Sequence, residues 1–171
     1  MLLCGFRRGY SAHDSLFNLV NKWQECLNKV GIVGAMLMDL SKAYDLIPHD
    51  LLIAKLEGYR FSYDSFKLLL SYLFARKQTV RLRSSFSKYL DMESGVRQGS
   101  ILGSIFFNIF INDFFLFIKD SEICNYADDN TLSVCDKNLE SVIARLQIET
   151  SNAILWFTLN KMVANLTQGY N

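Results

Sequence analysis

Tyr126-Ala127-Asp128-Asp129 lies between two short apolar runs, Ile123-Cys124-Asn125-Tyr126 and Thr131-Leu132-Ser133-Val134. That pattern reads as a β-hairpin with an acidic turn. A turn forces both carboxylates outward at one point in space. Hard divalent cations take carboxylate oxygens placed this way, usually with phosphate oxygens completing the shell. A plain solvated turn is the competing reading, because Asp and Asn favour turns for backbone reasons alone. A partner carboxylate elsewhere in the chain decides between them.

The 171 residues are enough for one domain with a real core. Half are hydrophobic and 13% aromatic, which excludes a disordered chain. A formal net charge of +1 argues weakly against a free-standing nucleic-acid binder, which is usually more basic. The local distribution says more: Arg76, Lys77, Arg81, Arg83, Lys88 and Arg97 face only Asp91 and Glu93 over the same stretch. This cluster reads either as a nucleic-acid contact or as a solvated sheet face.

Cys4, Cys26, Cys124 and Cys135 are widely spaced. No zinc site or disulfide framework is suggested, so they read as reduced intracellular thiols in or near the core. The first residues do not form a signal peptide. Ile101 to Ile118 is the most apolar segment, but Asn108, Asn112 and Asp113 mark a buried helix rather than a membrane span. The expected location is intracellular, nucleus or cytoplasm, with no membrane.

Leu16, Leu19, Val20, Trp23, Leu27 and Val30 share one helical face, and Gly31 can end that helix. Ile32 to Leu40 reads as a strand buried on both faces. Pro48 precedes a helix over about 49–57, and Ser62 can cap another over about 62–76. Alternation from Gln78 to Arg83 predicts a half-exposed strand, turned back at Ser84-Ser85 to pair near 88–93. A Gly-rich loop (95–103), the apolar helix and the acidic hairpin follow. An amphipathic helix over about 139–157 carries Leu139, Val142, Ile143, Leu146, Ile154 and Phe157, and a short strand near 162–165 can close the sheet. The fold class is α+β: one domain over 1–171, a small antiparallel sheet with helices packed on one face.

Asp39 ends the buried strand, where a charge is costly unless paired or bound to metal. If that strand lies beside the hairpin, Asp39, Asp128 and Asp129 converge. Two Mg²⁺ ions, with Mn²⁺ as the alternative, would make such a cluster a clamp for in-line phosphoryl transfer.

The blocks around these residues resemble the reverse transcriptase family, in its non-LTR retrotransposon branch. Gly5-Phe6-Arg7-Arg8-Gly9-Tyr10-Ser11 looks like the block ahead of the first catalytic strand. Asp39-Leu40-Ser41-Lys42-Ala43-Tyr44-Asp45 looks like the first catalytic motif, followed by Pro48-His49-Asp50. Gly95 to Gly103, with Gln98-Gly99-Ser100 at its centre, looks like the template and nucleotide loop, running into Ile111-Asn112-Asp113. Tyr126-Ala127-Asp128-Asp129 looks like the catalytic hairpin, and Leu155-Trp156-Phe157 with Asn160-Lys161 and Asn165 like the downstream motif.

The resemblance implies an RNA-directed DNA polymerase, a nucleotidyltransferase acting on an RNA template, a DNA primer and deoxynucleoside triphosphates. Asp39, Asp128 and Asp129 would be catalytic. They would ligate metal together with the Leu40 carbonyl. Tyr44 would be a steric gate against a ribose 2′-OH. Gln98, Gly99 and Ser100 would lie against nucleotide and template, and Asp45 would support the site by hydrogen bonding. Arg76, Arg81, Arg83 and Arg97 would be the nucleic-acid contacts.

The chain departs from the pattern at Arg97 and Ser104, where the family usually has proline, and at Gln168-Gly169, where it shows a Lys-Thr pair. Lys161 is out of register for the proton-donor role. The resemblance also implies truncation at both ends: a palm with part of the fingers and no thumb. The alternative function is therefore a retroelement remnant without polymerase activity, at most binding nucleic acid. A palm-type nucleotide cyclase is a third reading, and the template loop argues against it.

Overall fold

The computed structural model describes residues 2–3, 5, 9, 11–29 and 31–165. Val30, Cys4, most of the Phe6–Tyr10 block and Gln168-Gly169 lie outside them. In chain order the elements are β1 (Leu2–Leu3), α1 (Ala12–Lys29), β2 (Ile32–Leu40), α2 (His49–Gly58), α3 (Tyr63–Leu73), β3 (Lys77–Gln78), β4 (Arg81–Leu82), β5 (Ser85–Phe86) and β6 (Leu90–Asp91). There follow α4 (Ile101–Ile111), a 3₁₀ turn (Asn112–Leu116), β7 (Glu122–Tyr126), β8 (Asp129–Asp136), α5 (Leu139–Leu159) and β9 (Ala164–Asn165). Two compact units result: 1–43 with 111–171, and 44–110.

The first unit is built on a five-stranded sheet in the order β1-β7-β8-β2-β9, antiparallel except for the β1–β7 pair. Strand β2 pairs with β8 from Ile32↔Asp136 to Asp39↔Asp129. The expectation that β2 is buried on both faces is corrected. Met38 and Leu40 are buried, whereas Leu37 is 60% exposed and Ala35 is exposed. This is the alternation of a half-buried antiparallel strand, because an antiparallel sheet needs only one covered face.

Helix α5 covers the buried face. A Cβ on Gly34 would stand 2.4 Å from Val142 Cγ1 and 2.6 Å from Leu146 Cδ1, so the helix rests directly on β2 backbone. Val142, Ala153, Trp156 and Phe157 are buried, while Leu139, Ile143 and Ile154 are exposed. Trp156 and Phe157 pack on Phe114 at ring centroids of 5.2 and 5.4 Å. Glu149, 1% exposed, accepts hydrogen bonds from the backbone N–H groups of Lys119 and Asp120, which satisfies a carboxylate that burial would otherwise penalise.

Helix α1 lies against residues of the opposite face. Lys22 pairs with Glu122, and the Cys124 thiol donates to the Ser15 carbonyl. By register, Glu122 aligns with Ser133 and Ala35, and Cys124 with Thr131 and Leu37. One-face helix packing therefore describes α5, and α1 adds a second layer. The apolar stripe of α1 is only partly used, since Leu16, Val20 and Leu27 remain exposed. Gly31 ends the helix at φ +105°, a conformation that favours glycine, and its N–H returns to the Cys26 carbonyl.

Cys26 and Cys135 form a disulfide, with Cα atoms 6.1 Å apart. This corrects the reading of these two as reduced thiols. Strand register places Cys135 beside Val33 on the face that α1 covers, which residue spacing alone does not reveal.

In the second unit, Ser62 caps α3 by accepting from Ser65 N–H, and α3 ends at Leu73, before the expected 76. The predicted strand pair is split into two two-residue ladders, β3 with β6 and β4 with β5. The turn falls at Arg83, at φ +56°. Val80 and Leu82 are 70% and 75% exposed, so this hairpin is not half-buried as expected. Phe106, Phe107 and Phe110 of α4 are fully buried, and the helix gives way to the 3₁₀ turn instead of continuing to Ile118.

Candidate active site

The acidic turn is the tip of the β7–β8 hairpin. Tyr126 pairs with Asp129, leaving Ala127-Asp128 as a two-residue turn. Ala127 takes φ +56°, a conformation that two-residue hairpin turns demand and that glycine fills more easily. The Gly5 backbone sits directly against this turn. A Cβ there would stand 2.3 Å from Ala127 N and 2.8 Å from its Cα.

Asp39 is the direct cross-strand partner of Asp129. Opposite residues of an antiparallel pair share a face, so these two carboxylates stand side by side, with Asp128 next in the chain. Asp129 is held above its ordinary proton affinity, first by partial desolvation and then by the negative charges of Asp128 and Asp39. The three predicted carboxylates are thus close enough to repel one another.

Hard oxygen donors under mutual repulsion fit a divalent cation. Among the described residues no group of three or more His, Cys, Asp or Glu side chains is arranged to hold a metal ion by itself. That is compatible with Mg²⁺, which usually takes one or two carboxylates and completes its shell with water and substrate phosphate.

The other predicted residues belong to the second unit. Tyr44 stacks on Phe107 at 5.0 Å and 13°. The Tyr44 carbonyl accepts from Val96 N–H, and the Ile47 carbonyl from Gly95 N–H, both at 2.8 Å. Gln98 donates its side-chain amide to Asp45 at 3.1 Å. The segment holding Tyr44 and the Gly95–Gln98 loop are thereby tied to each other, and Asp45 has the supporting bond expected of it.

Ser100 has an evident structural role. Its hydroxyl accepts from Gly103 N–H, capping α4, and lies 2.6 Å from the Tyr72 hydroxyl. A Cβ on Gly103 would stand 2.4 Å from the Arg97 carbonyl, which explains glycine there. Gly99, at φ +76°, has open space around it.

The four candidate basic contacts separate into two pairs. Arg76 and Arg97 line one open cavity of about 480 Å³ with Lys77, Gln78, Met92 and Gly95. Arg81 and Arg83 sit on the exposed β4–β5 hairpin, where Arg81 reaches over Phe86 and donates to the Arg83 carbonyl.

Sequence reasoning missed Asn125 and Asn130, both 1% exposed, which flank the acidic turn. The signal was present, as two amides placed symmetrically about it inside strands otherwise read as apolar. Two motif blocks also prove to be joined, since Trp156 Nε1 donates to Asp113 at 3.0 Å.

Residues 1–165 match the family described as reverse transcriptase (RNA-dependent DNA polymerase), and the chain belongs to that family. Its relatives are polymerases of the non-LTR retrotransposon type. The probable RNA-directed DNA polymerase from transposon BS of Drosophila melanogaster is 33% identical over 109 residues, 64% of this chain and 12% of the relative. The RNA-directed DNA polymerase from mobile element jockey of Drosophila funebris is 32% identical over 109 residues, with the same coverage. The chain therefore spans about an eighth of the length of these relatives. Among solved structures, a telomerase from Candida albicans in complex with a fragment of telomeric RNA aligns over 94% of this chain and 31% of that one, at TM-score 0.63 and 16% identity. Apo telomerase from Candida tropicalis aligns at TM-score 0.60 and 16% identity, over 94% of this chain and 36% of that one. At such identity the likeness shows the fold alone. Among the described residues no helix is long and apolar enough to cross a membrane.

Proposed function

We propose that this chain is the catalytic palm, with part of the fingers, of an RNA-directed DNA polymerase that extends a DNA primer on an RNA template. The observation that carries this reading is the cross-strand pairing of Asp39 with Asp129 beside Asp128, in a chain of the reverse transcriptase family. Asp39, Asp128 and Asp129 would hold two divalent cations, with the Leu40 carbonyl as a further ligand. Cations held there would supply Lewis-acid chemistry, lowering the pKa of the attacking primer hydroxyl and neutralising charge on the leaving pyrophosphate.

The remaining roles follow from the chemistry of each group. Tyr44, fixed against Phe107, presents a rigid ring that excludes a 2′-hydroxyl and so selects deoxynucleotides. The Gln98-Gly99-Ser100 loop lies against nucleotide and template, with Gly99 free of a side chain where backbone must approach closely. Arg76, Arg81, Arg83 and Arg97 contact phosphates.

The test is a graft of this chain in place of the matching segment of the jockey polymerase. Primer extension is expected from the graft, and Asp128→Asn should lower it at least about a hundredfold, the scale of losing a transition-state charge partner. Undiminished extension by the Asp128→Asn graft would overturn the assignment. The chain alone is expected to give no extension, because it spans only 12% of those relatives.

A further inference from the structure

Behind the acidic turn lies a pair of buried amides. Asn125 and Asn130 are directly opposite each other in the β7–β8 register, and Met38 is opposite Asn130 on β2. Strand alternation puts these three on the face turned away from Tyr126, Asp129 and Asp39. Their neighbours there, Met38, Leu40 and Leu132, are apolar and at most 3% exposed. A polar side chain in such a place is costly unless fully bonded.

Both amides are bonded, and to the turn itself. Asn125 Nδ2 donates to the Ala127 carbonyl at 2.9 Å and to Asn130 Oδ1 at 2.8 Å. Asn130 Nδ2 donates to the Asp128 carbonyl at 3.0 Å. The opposite amide orientations would set oxygen against oxygen, so the network admits only this arrangement. The carbonyls of both central turn residues are thus held by side chains from the buried face.

We propose that Asn125 and Asn130 are positioning residues that lock the Ala127-Asp128 turn so that the Asp128 and Asp129 carboxylates converge with Asp39 on a divalent cation. This rests on the reading of those three as the catalytic carboxylates. Ala127 needs such support, because a non-glycine residue at positive φ stores strain that persists only where the surroundings over-determine it. The amides act through the turn backbone and touch neither metal nor substrate.

Two measurements on the chain test this. In the unaltered protein, NMR should show the Nδ2 protons of Asn125 and Asn130 exchanging far more slowly than those of exposed Asn138. Equal exchange rates overturn the clamp without any mutation. In the double variant Asn125→Leu/Asn130→Leu, Mn²⁺ affinity should fall about 10- to 100-fold, the usual cost of losing groups that orient metal ligands. The melting temperature should fall as well, because the Ala127 and Asp128 carbonyls lose their donors, so Mn²⁺ affinity is measured well below it. Asp128→Asn is measured beside it. If Asp128→Asn loses Mn²⁺ while the double variant keeps it, the clamp fails and the carboxylate reading stands. If Asp128→Asn binds Mn²⁺ like the unaltered chain, the carboxylate reading fails and takes the clamp with it.

Discussion

The chain contains two hairpins that look alike in sequence and differ in structure. Both β7–β8 and the 77–91 segment alternate apolar and polar residues around a short turn. The first is flanked by β1 and β2, with Leu132 and Val134 buried. The second breaks into two two-residue ladders, with Val80, Leu82 and Phe86 at least 63% exposed. Alternation specifies which side chains share a face. What covers that face is decided by residues far away in the chain.

This contrast can be broken by substitution. The largest stability effect should come from the covered hairpin. Leu132→Ala, at a fully buried position, is expected to cost about 2–5 kcal/mol in denaturant unfolding. A loss under about 1 kcal/mol would mean that the face is not packed as described. Next, Gly34→Ala forces a Cβ into Val142 and Leu146 and should cost about 1–3 kcal/mol, the usual price of overpacking. No loss would show that α5 can slide off β2.

A smaller effect belongs to the acidic turn and depends on pH. Asp129 binds its proton more tightly in the fold than its ordinary value of 3.8. Its contribution to stability is therefore present below that value and lost as pH rises through the raised one. Metal-free Asp129→Asn should be more stable than the unaltered chain at neutral pH, by at most about 1 kcal/mol because the group is exposed. The advantage should vanish in acid and reverse when Mg²⁺ is added. A variant less stable than the unaltered chain without metal would contradict carboxylate repulsion.

The smallest effect should come from the exposed hairpin. Val80→Thr and Leu82→Thr are expected to change stability by no more than about 0.5 kcal/mol each, as at ordinary surface positions. A loss above about 1 kcal/mol would show that this hairpin is covered after all.

Much of the site was legible because its signals are local. The acidic turn, the Pro48 start of α2, the Ser62 cap and the strand near 165 each follow from a few adjacent residues, and the structure bears them out. The pairing of Asp39 with the hairpin was stated as a condition, and the β2–β8 register meets it. What was not legible depends on distant partners. The Cys26–Cys135 bond joins residues 109 apart, and Gly34 is explained only by the helix resting on it. Asn125 was counted within an apolar run and Asn130 was not singled out, because hydropathy does not distinguish an exposed amide from one satisfied in the core. The 77–91 hairpin was misread in the opposite sense, since its valine and leucine suggested a cover that they lack.

The division of the chain has a consequence for how it is made. The 44–110 unit is continuous, whereas its companion is assembled from residues on both sides of it. As the polypeptide emerges from the ribosome, the interrupting unit can begin to fold while β2 still waits for β8. Non-local strand pairing of this kind is slow and leaves sheet edges open to wrong partners. Asp39 therefore spends the early life of the molecule on an unpaired strand, and the carboxylate cluster is among the last features to be completed.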